Sequence, residues 1–253
     1  MHIGGFSGVD FVKETFVNRN IVVVGGGTGI GAGIVKNLSK QGAKLVIGGR
    51  RIEKLQEVAE SESNVTPIAV DVADRQSIES FFDKAKEYLG EIHVMINCAG
   101  MNIPNRTMAT MKPEDWDRVM QVNATGAYLC MYQVLEEMRA RKDGLIINVS
   151  SIAGKRAITL GGVVYCASKF AMTALGTAAA NEVADEGVRI TNVYPGEVNT
   201  PILDNRPTPV SDEHKASILQ PEDIAEMIAT IVSLPPRAHV PEIVIKPTRQ
   251  QWV

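Results

Sequence analysis

A tyrosine and a lysine four residues apart, Tyr165 and Lys169, stand at the start of an alanine-rich stretch. On a helix that spacing puts both side chains on one face, one turn apart. An ammonium beside a phenol favours the phenolate and lowers a reference pKa of about 10, which is what a general acid/base at neutral pH requires. Taken alone, such a pair is usually a surface feature, so its surroundings decide. Upstream, the apolar run Leu145–Val149 ends in Ser150-Ser151, where a hydroxyl can point into a cleft. Farther upstream another run ends in Asn97-Cys98-Ala99-Gly100.

Nearer the start, the run Ile21–Val24 leads into Gly25-Gly26-Gly27-Thr28-Gly29-Ile30-Gly31 and then a helical stretch. Glycine suits a tight turn, close backbone approach to a pyrophosphate, and close helix–strand packing. The phosphates then meet the positive end of the helix. Two registers fit. Gly27-x-Gly29-x-x-Ala32 satisfies the common dinucleotide fingerprint, and Gly25-x-x-x-Gly29-x-Gly31 satisfies another spacing. The turn should begin where the strand ends, at Gly25, and from there the common spacing would need glycine at Ile30. The second register is therefore preferred. The next strand ends in Gly48-Gly49-Arg50-Arg51, with no acid before Glu53. An NAD site usually has an acid near this point for the ribose 2′-hydroxyl. Arg50 and Arg51 suit a 2′-phosphate instead. This points to NADP(H), with NAD(H) admitted; the bland alternative is two solvated arginines at a helix start.

The elements that must position these groups follow from alternation. Short Val- and Ile-rich runs at Ile21–Val24, Lys44–Ile47, Val65–Val70, His93–Asn97, Leu145–Val149, Arg189–Tyr194 and Glu242–Ile245 alternate with amphipathic stretches. Runs with little polar alternation fit strands buried on both faces of a parallel sheet. Helices are expected at Gly31–Gln41, Ile52–Ser61, Arg75–Leu89, Pro113–Arg141, Val164–Glu186 and Pro221–Ser233. The fold class is a doubly wound, Rossmann-type parallel α/β sheet in a single domain over 19–253, after an N-terminal extension over 1–18. Parallel strands share a direction, so the glycine turn, Asn97–Gly100 and Ser150-Ser151 fall on one edge, where such sheets bind ligands. The irregular stretch Pro201–Gln220, with three prolines, is expected to be a functional lid.

The bulk numbers fit this picture. A chain of 253 residues with 45% hydrophobic residues can fill one large core without disulfides or a structural metal. A net charge of -3 offers no electrostatic footprint for nucleic acid or an anionic membrane. No apolar run approaches the roughly 20 residues of a membrane span, and the first residues do not read as a secretion signal. Cys98, Cys130 and Cys166 lack zinc-ligand spacing and read as core residues of a reducing cytoplasm. No metal site is expected.

Together these motifs resemble the short-chain dehydrogenase/reductase family from about Arg19 onward. They are Gly25-x-x-x-Gly29-x-Gly31, Asp71-Val72, Asn97-Cys98-Ala99-Gly100, Asn123, Ser151, Tyr165-x-x-x-Lys169 and Pro195-Gly196. The resemblance implies that Tyr165 exchanges a proton with the substrate oxygen and that Ser151, the second of its pair, hydrogen-bonds that oxygen. It implies that Lys169 binds the nicotinamide ribose and lowers the pKa of Tyr165, and that Asn123 holds a water linking Lys169 to solvent. Asp71 and Val72 would contact adenine, and Asn97 would steady the central strands beside Ala99 and Gly100. Pro195, Gly196, Val198 and Thr200 would border the nicotinamide.

Three positions depart from the pattern. Val24 stands where threonine is usual, Cys98 replaces a second asparagine, and the stretch from Ser151 to Tyr165 is one residue longer, at Ala157–Leu160. The expected reaction is hydride transfer between nicotinamide and a small carbonyl or secondary alcohol. The C-terminal Glu242–Gln250 resembles members acting on 3-hydroxy acids and varied small carbonyls. Alternatives are a 3-oxoacyl-carrier-protein reductase, a nucleotide-sugar epimerase or dehydratase, and a dinucleotide-binding regulator without turnover. A homodimer or homotetramer is expected through the two long helices, with no nucleic-acid or membrane partner.

Overall fold

The computed structural model describes residues 16–251. Seven parallel strands form one sheet: β1 (Asn20–Val24), β2 (Lys44–Gly49), β3 (Val65–Ala69), β4 (Val94–Asn97), β5 (Gly144–Val149), β6 (Val188–Pro195) and β7 (Glu242–Ile245). Their spatial order is β3-β2-β1-β4-β5-β6-β7. The order reverses between β1 and β4, and a crevice opens there at the strands' carboxyl ends.

Eight α-helices are found among the described residues, most of them packed on the sheet: α1 (Gly29–Lys40), α2 (Ile52–Ala59), α3 (Arg75–Leu89), α4 (Pro113–Met120), α5 (Gly126–Arg141), α6 (Val163–Glu182), α7 (Asp212–Ser217) and α8 (Pro221–Ser233). Alternation along β1 shows why both faces must be covered. Ile21 and Val23 pack with Ile34 and Leu38 of α1 and Ile224 and Ile228 of α8. Val22 and Val24 pack with Phe81 and Phe82 of α3 and Met131 and Val134 of α5. An α/β sheet of this kind has no solvent face, which explains the unbroken apolar runs.

Two expectations about local structure are corrected. The stretch Pro113–Arg141 is not one α-helix: α4 and α5 are joined by a π-helical turn, Gln121–Thr125. The stretch Val164–Glu186 is α6 followed by a short 3-10 turn, Ala184–Glu186, which Gly187 at φ +75° ends. One helix among the described residues, α6, is long and apolar enough to cross a membrane by length and composition. Lys169 interrupts it, and it packs on β6 through Gly176, where a Cβ would stand 2.2 Å from Asn192 Oδ1.

Residues 1–15 of the expected N-terminal extension, and the last two residues of the chain, lie outside the described residues. Phe16, assigned to that extension, is buried in the core among Ile34, Leu38 and their neighbours.

Candidate active site

The glycine turn occupies the end of β1. Gly25 has φ +87°, and a Cβ on it would stand 2.6 Å from the Ala99 backbone nitrogen. Only glycine therefore lets the turn lie against the Cys98–Ala99 end of β4. A Cβ on Gly31 would stand 2.1 Å from the Gly25 carbonyl oxygen. Gly25 and Gly31 are thus required by packing, as the second register expects, while Ile30 fills the place where the common spacing needs glycine. Thr28 stands before α1 in extended conformation and its side chain makes no capping bond. The first N–H groups of α1 are left without intrahelical partners, which suits an anion.

Arg50 and Arg51 lie exposed after β2, facing the same edge as the turn, and neither meets a carboxylate among the described residues. Asp71, after β3, is committed in part to its own loop, where its Oδ1 accepts from the Ala73 N–H at 3.0 Å. Val72 beside it is buried. Asn97 is buried at the end of β4, in register with Val24 and Asn148.

The alternation of an extended chain separates the two serines. Ser150 points into α6: its hydroxyl lies 3.2 Å from the Lys169 carbonyl and 3.4 Å from Thr173 Oγ1. Ser151 points the other way. Its hydroxyl accepts from the Ala153 N–H at 3.1 Å and is close enough to the Tyr165 hydroxyl to favour the phenolate. The extra residue before Tyr165 is taken up in a turn, where Gly161 and Gly162 N–H donate to Ile158 and Thr159 carbonyls.

Lys169 is buried one turn along α6. Its ammonium donates to the Val149 carbonyl at 3.0 Å and sits 5.8 Å from the Tyr165 ring centroid. Burial pulls its pKa down to about 8. Burial pushes the Cys98 thiol up to about 12, so Cys98 is a neutral neighbour.

One expected electrostatic effect is corrected here. Tyr165 does not have a lowered pKa in the protein alone: burial raises it, against smaller opposing effects of the Ser151 hydrogen bond and the Arg106 charge. Spacing gave proximity to Lys169, but the ammonium is aimed at the Val149 carbonyl rather than at the phenol oxygen. Desolvation of a half-buried phenol outweighs what remains.

Asn123 lies in the π-helical turn, which is where such turns often mark functional sites. Its Oδ1 accepts from the Met101 N–H at 2.8 Å, and its Nδ2 donates to the Met101 carbonyl at 2.9 Å and Ser168 Oγ at 3.0 Å. Both amide protons are used, so the side chain clamps the β4 loop to α6. Gly100 sits between: a Cβ there would lie 3.5 Å from Lys169 Nζ and 3.6 Å from Asn123 Oδ1.

The stretch after β6 closes the crevice. A Cβ on Gly29 would stand 3.0 Å from Thr200, so the lid base rests on the glycine turn. Pro195 ends β6, and Gly196 packs beneath Gln250, whose Oε1 accepts from the Glu197 N–H at 3.0 Å. Val198 bridges to Leu219. The stretch expected as an irregular lid is folded, with a 3-10 turn at Pro201–Asn205 and the short α7. Glu197 fastens it, 3.1 Å from Arg206 and 2.5 Å from His214.

The residue this reading missed is Arg106. It lies 6% exposed beneath the lid and the turn at 158–162, which forms the lip of the site, close enough to Tyr165 for its charge to be felt there. In the sequence it is an arginine in a loop with Pro104 and Asn105, with nothing to mark it as buried.

The sheet order, the reversal crevice and the Ser151–Tyr165–Lys169 cluster define a dinucleotide-fold oxidoreductase site. The chain belongs to the short chain dehydrogenase family, which it matches over residues 19–210. An uncharacterized oxidoreductase of Staphylococcus aureus is 31% identical over 228 residues, covering 89% of this chain and 96% of the relative. An alcohol dehydrogenase from the archaeon Thermococcus sibiricus, complexed with 5-hydroxy-NADP, superposes with TM-score 0.83 at 26% identity, covering 93% of this chain and 99% of the other. The closed form of a serine dehydrogenase complexed with NADP+ superposes with TM-score 0.84 at 27% identity, covering 92% and 97%.

Proposed function

We propose that this oxidoreductase uses NADP(H) to interconvert a small carbonyl compound and its secondary alcohol. The observation that carries the reading is the hydroxyl pair Ser151–Tyr165 beside buried Lys169, on the same sheet edge as the glycine turn. Gly25 to Gly31, the N-terminus of α1, Arg50 and Arg51 would hold the dinucleotide, with Asp71, Val72, Asn97, Ala99 and Gly100 along its path. Pro195, Gly196, Val198 and Thr200 would flank its nicotinamide end. The 5-hydroxy-NADP of the archaeal alcohol dehydrogenase complex and the NADP+ of the serine dehydrogenase complex support this choice of cofactor.

Bound NADP(H) supplies or accepts the hydride. The protein supplies the proton. Burial keeps Tyr165 protonated at neutral pH, ready to donate to a carbonyl oxygen. Ser151 has room to hold the same oxygen, because its other bond is only the one from Ala153. Lys169 holds positive charge one helical turn away, and Asn123 fixes the loop between them. NADPH consumption over a panel of small ketones, aldehydes and oxo acids tests the reading. NADPH should outpace NADH by about tenfold or more, the scale of one charge-assisted hydrogen bond; equal use of both would remove Arg50 and Arg51 from the site.

The reading includes a symmetric homo-oligomer in a reducing cytoplasm, where three free cysteines are at home. Tyr128 and Tyr132 on α5 and Phe170 on α6 are 46%, 66% and 41% exposed, an aromatic face a second copy would cover. The small residues of α6 divide: Gly176 and Ala179 face inward, whereas Ala174 and Ala178 face out. Met131, by contrast, is filled by its own subunit. Light scattering at micromolar concentration should give two or four times 27.4 kDa; the mass of one chain contradicts the oligomer.

A further inference from the structure

Arg106 is a buried cation with a task the fold alone does not give it. Its Nε donates to the Ile103 carbonyl at 2.8 Å, one terminal nitrogen to the Leu160 carbonyl at 3.0 Å, and the other to the Asn205 carbonyl. A guanidinium has five N–H donors, so one remains on each terminal nitrogen. Among the described residues no carboxylate pairs with Arg106. Glu197, the acid that meets its neighbour Arg206, is also shared with His214.

Its position is fixed by the same residues that shape the reaction site. The Arg106 carbonyl accepts from the Val163 N–H at 3.0 Å, at the start of the helix that carries Tyr165. A Cβ on Gly162 would stand 2.5 Å from Arg106 Cβ, so the lip lies directly on its stem. Leu160 belongs to the lip and Asn205 to the lid, so the guanidinium sits where lip, lid and Tyr165 converge.

Burying an uncompensated cation is costly. Carbonyl oxygens offset part of that cost, but Arg206 adds a like charge nearby. Among the charged side chains, Arg106 is the cation felt at Tyr165. An anionic ligand supplies the missing counter-charge, and a planar fork with a free N–H on each tip matches a carboxylate.

We infer that Arg106 receives the carboxylate of the substrate, which is therefore an oxo acid and its hydroxy acid rather than a neutral ketone and alcohol. This rests on the reductase reading above and narrows its substrate class.

The test compares the same carbonyl with and without the charge: 2-oxobutanoate and 3-oxobutanoate against their methyl esters, each reduced with NADPH. Wild type should favour the acids in kcat/KM by about thirtyfold or more, the scale of one desolvated charge pair. In Arg106→Gln the acid-to-ester ratio should fall towards one, and Arg106→Lys should restore part of it. Esters turned over as well as acids by wild type would overturn the inference and leave the reductase reading standing. So would an Arg106→Gln enzyme slowed on both with the ratio kept, since that marks a strut between lip and lid. Should Arg106→Gln fail to fold, the wild-type ratio and Arg106→Lys decide. No turnover of any carbonyl would sink the reductase reading itself, and this inference with it.

Discussion

Tyr165→Phe is expected to lower kcat by at least about a hundredfold, the lower end of what a positioned acid–base group contributes. NADPH binding should be nearly unchanged. The ring of Tyr165 stays in place in the variant, and only the hydroxyl beside Ser151 is lost. Ser151 keeps its bond from the Ala153 N–H, so the strand end has no reason to move. Lys169 also keeps its own anchor, the Val149 carbonyl, independent of the phenol. The loss should therefore appear in kcat and not as an unfolded protein. A variant retaining more than about a hundredth of wild-type turnover would show that Tyr165 is not the proton donor.

The second large effect separates two adjacent residues. Ser151→Ala should cost roughly a hundred- to a thousandfold in kcat, about 2.7–4 kcal/mol, as for loss of one hydrogen bond to a developing oxyanion. Ser150→Ala should change kcat by less than about tenfold, the effect of one ordinary hydrogen bond. The Ser150 hydroxyl is turned into the backbone of α6, towards the Lys169 carbonyl and Thr173. Its loss touches packing rather than the reacting oxygen. A reversed ranking would show that the longer lip shifts the register and that Ser150 is the catalytic hydroxyl.

The sheet was legible because a strand buried on both faces has no polar alternation, and each of the seven apolar runs overlaps one strand to within two residues at either end. The divergence of the two serines was legible for a related reason: an extended chain sends neighbours to opposite sides, and Ser150 and Ser151 find different partners. The glycine register followed from where β1 ends. The π-helical turn was not legible, because Pro113–Arg141 keeps helical periodicity across it. What sets the turn apart is tertiary, the clamp of Asn123 on Met101 and Ser168. The direction of the Tyr165 pKa was missed because spacing reports which charge is near and says nothing of desolvation or of where the ammonium points. Arg106 was missed for the same kind of reason. A loop arginine reads as solvated until Leu160 and Asn205, 54 and 99 residues away in sequence, close over it.

The most direct test of the central claim is deuterium transfer. NADPH doubly deuterated at nicotinamide C4 is incubated with the protein and the panel of small ketones, aldehydes and oxo acids, and the products are read by mass spectrometry. The expected result is one deuterium on the new carbinol carbon of at least one substrate, lost when Tyr165 is replaced by Phe. NADPH that binds but passes no label to any member of the panel, with no hydride returned from the matching alcohols to NADP+, would contradict it.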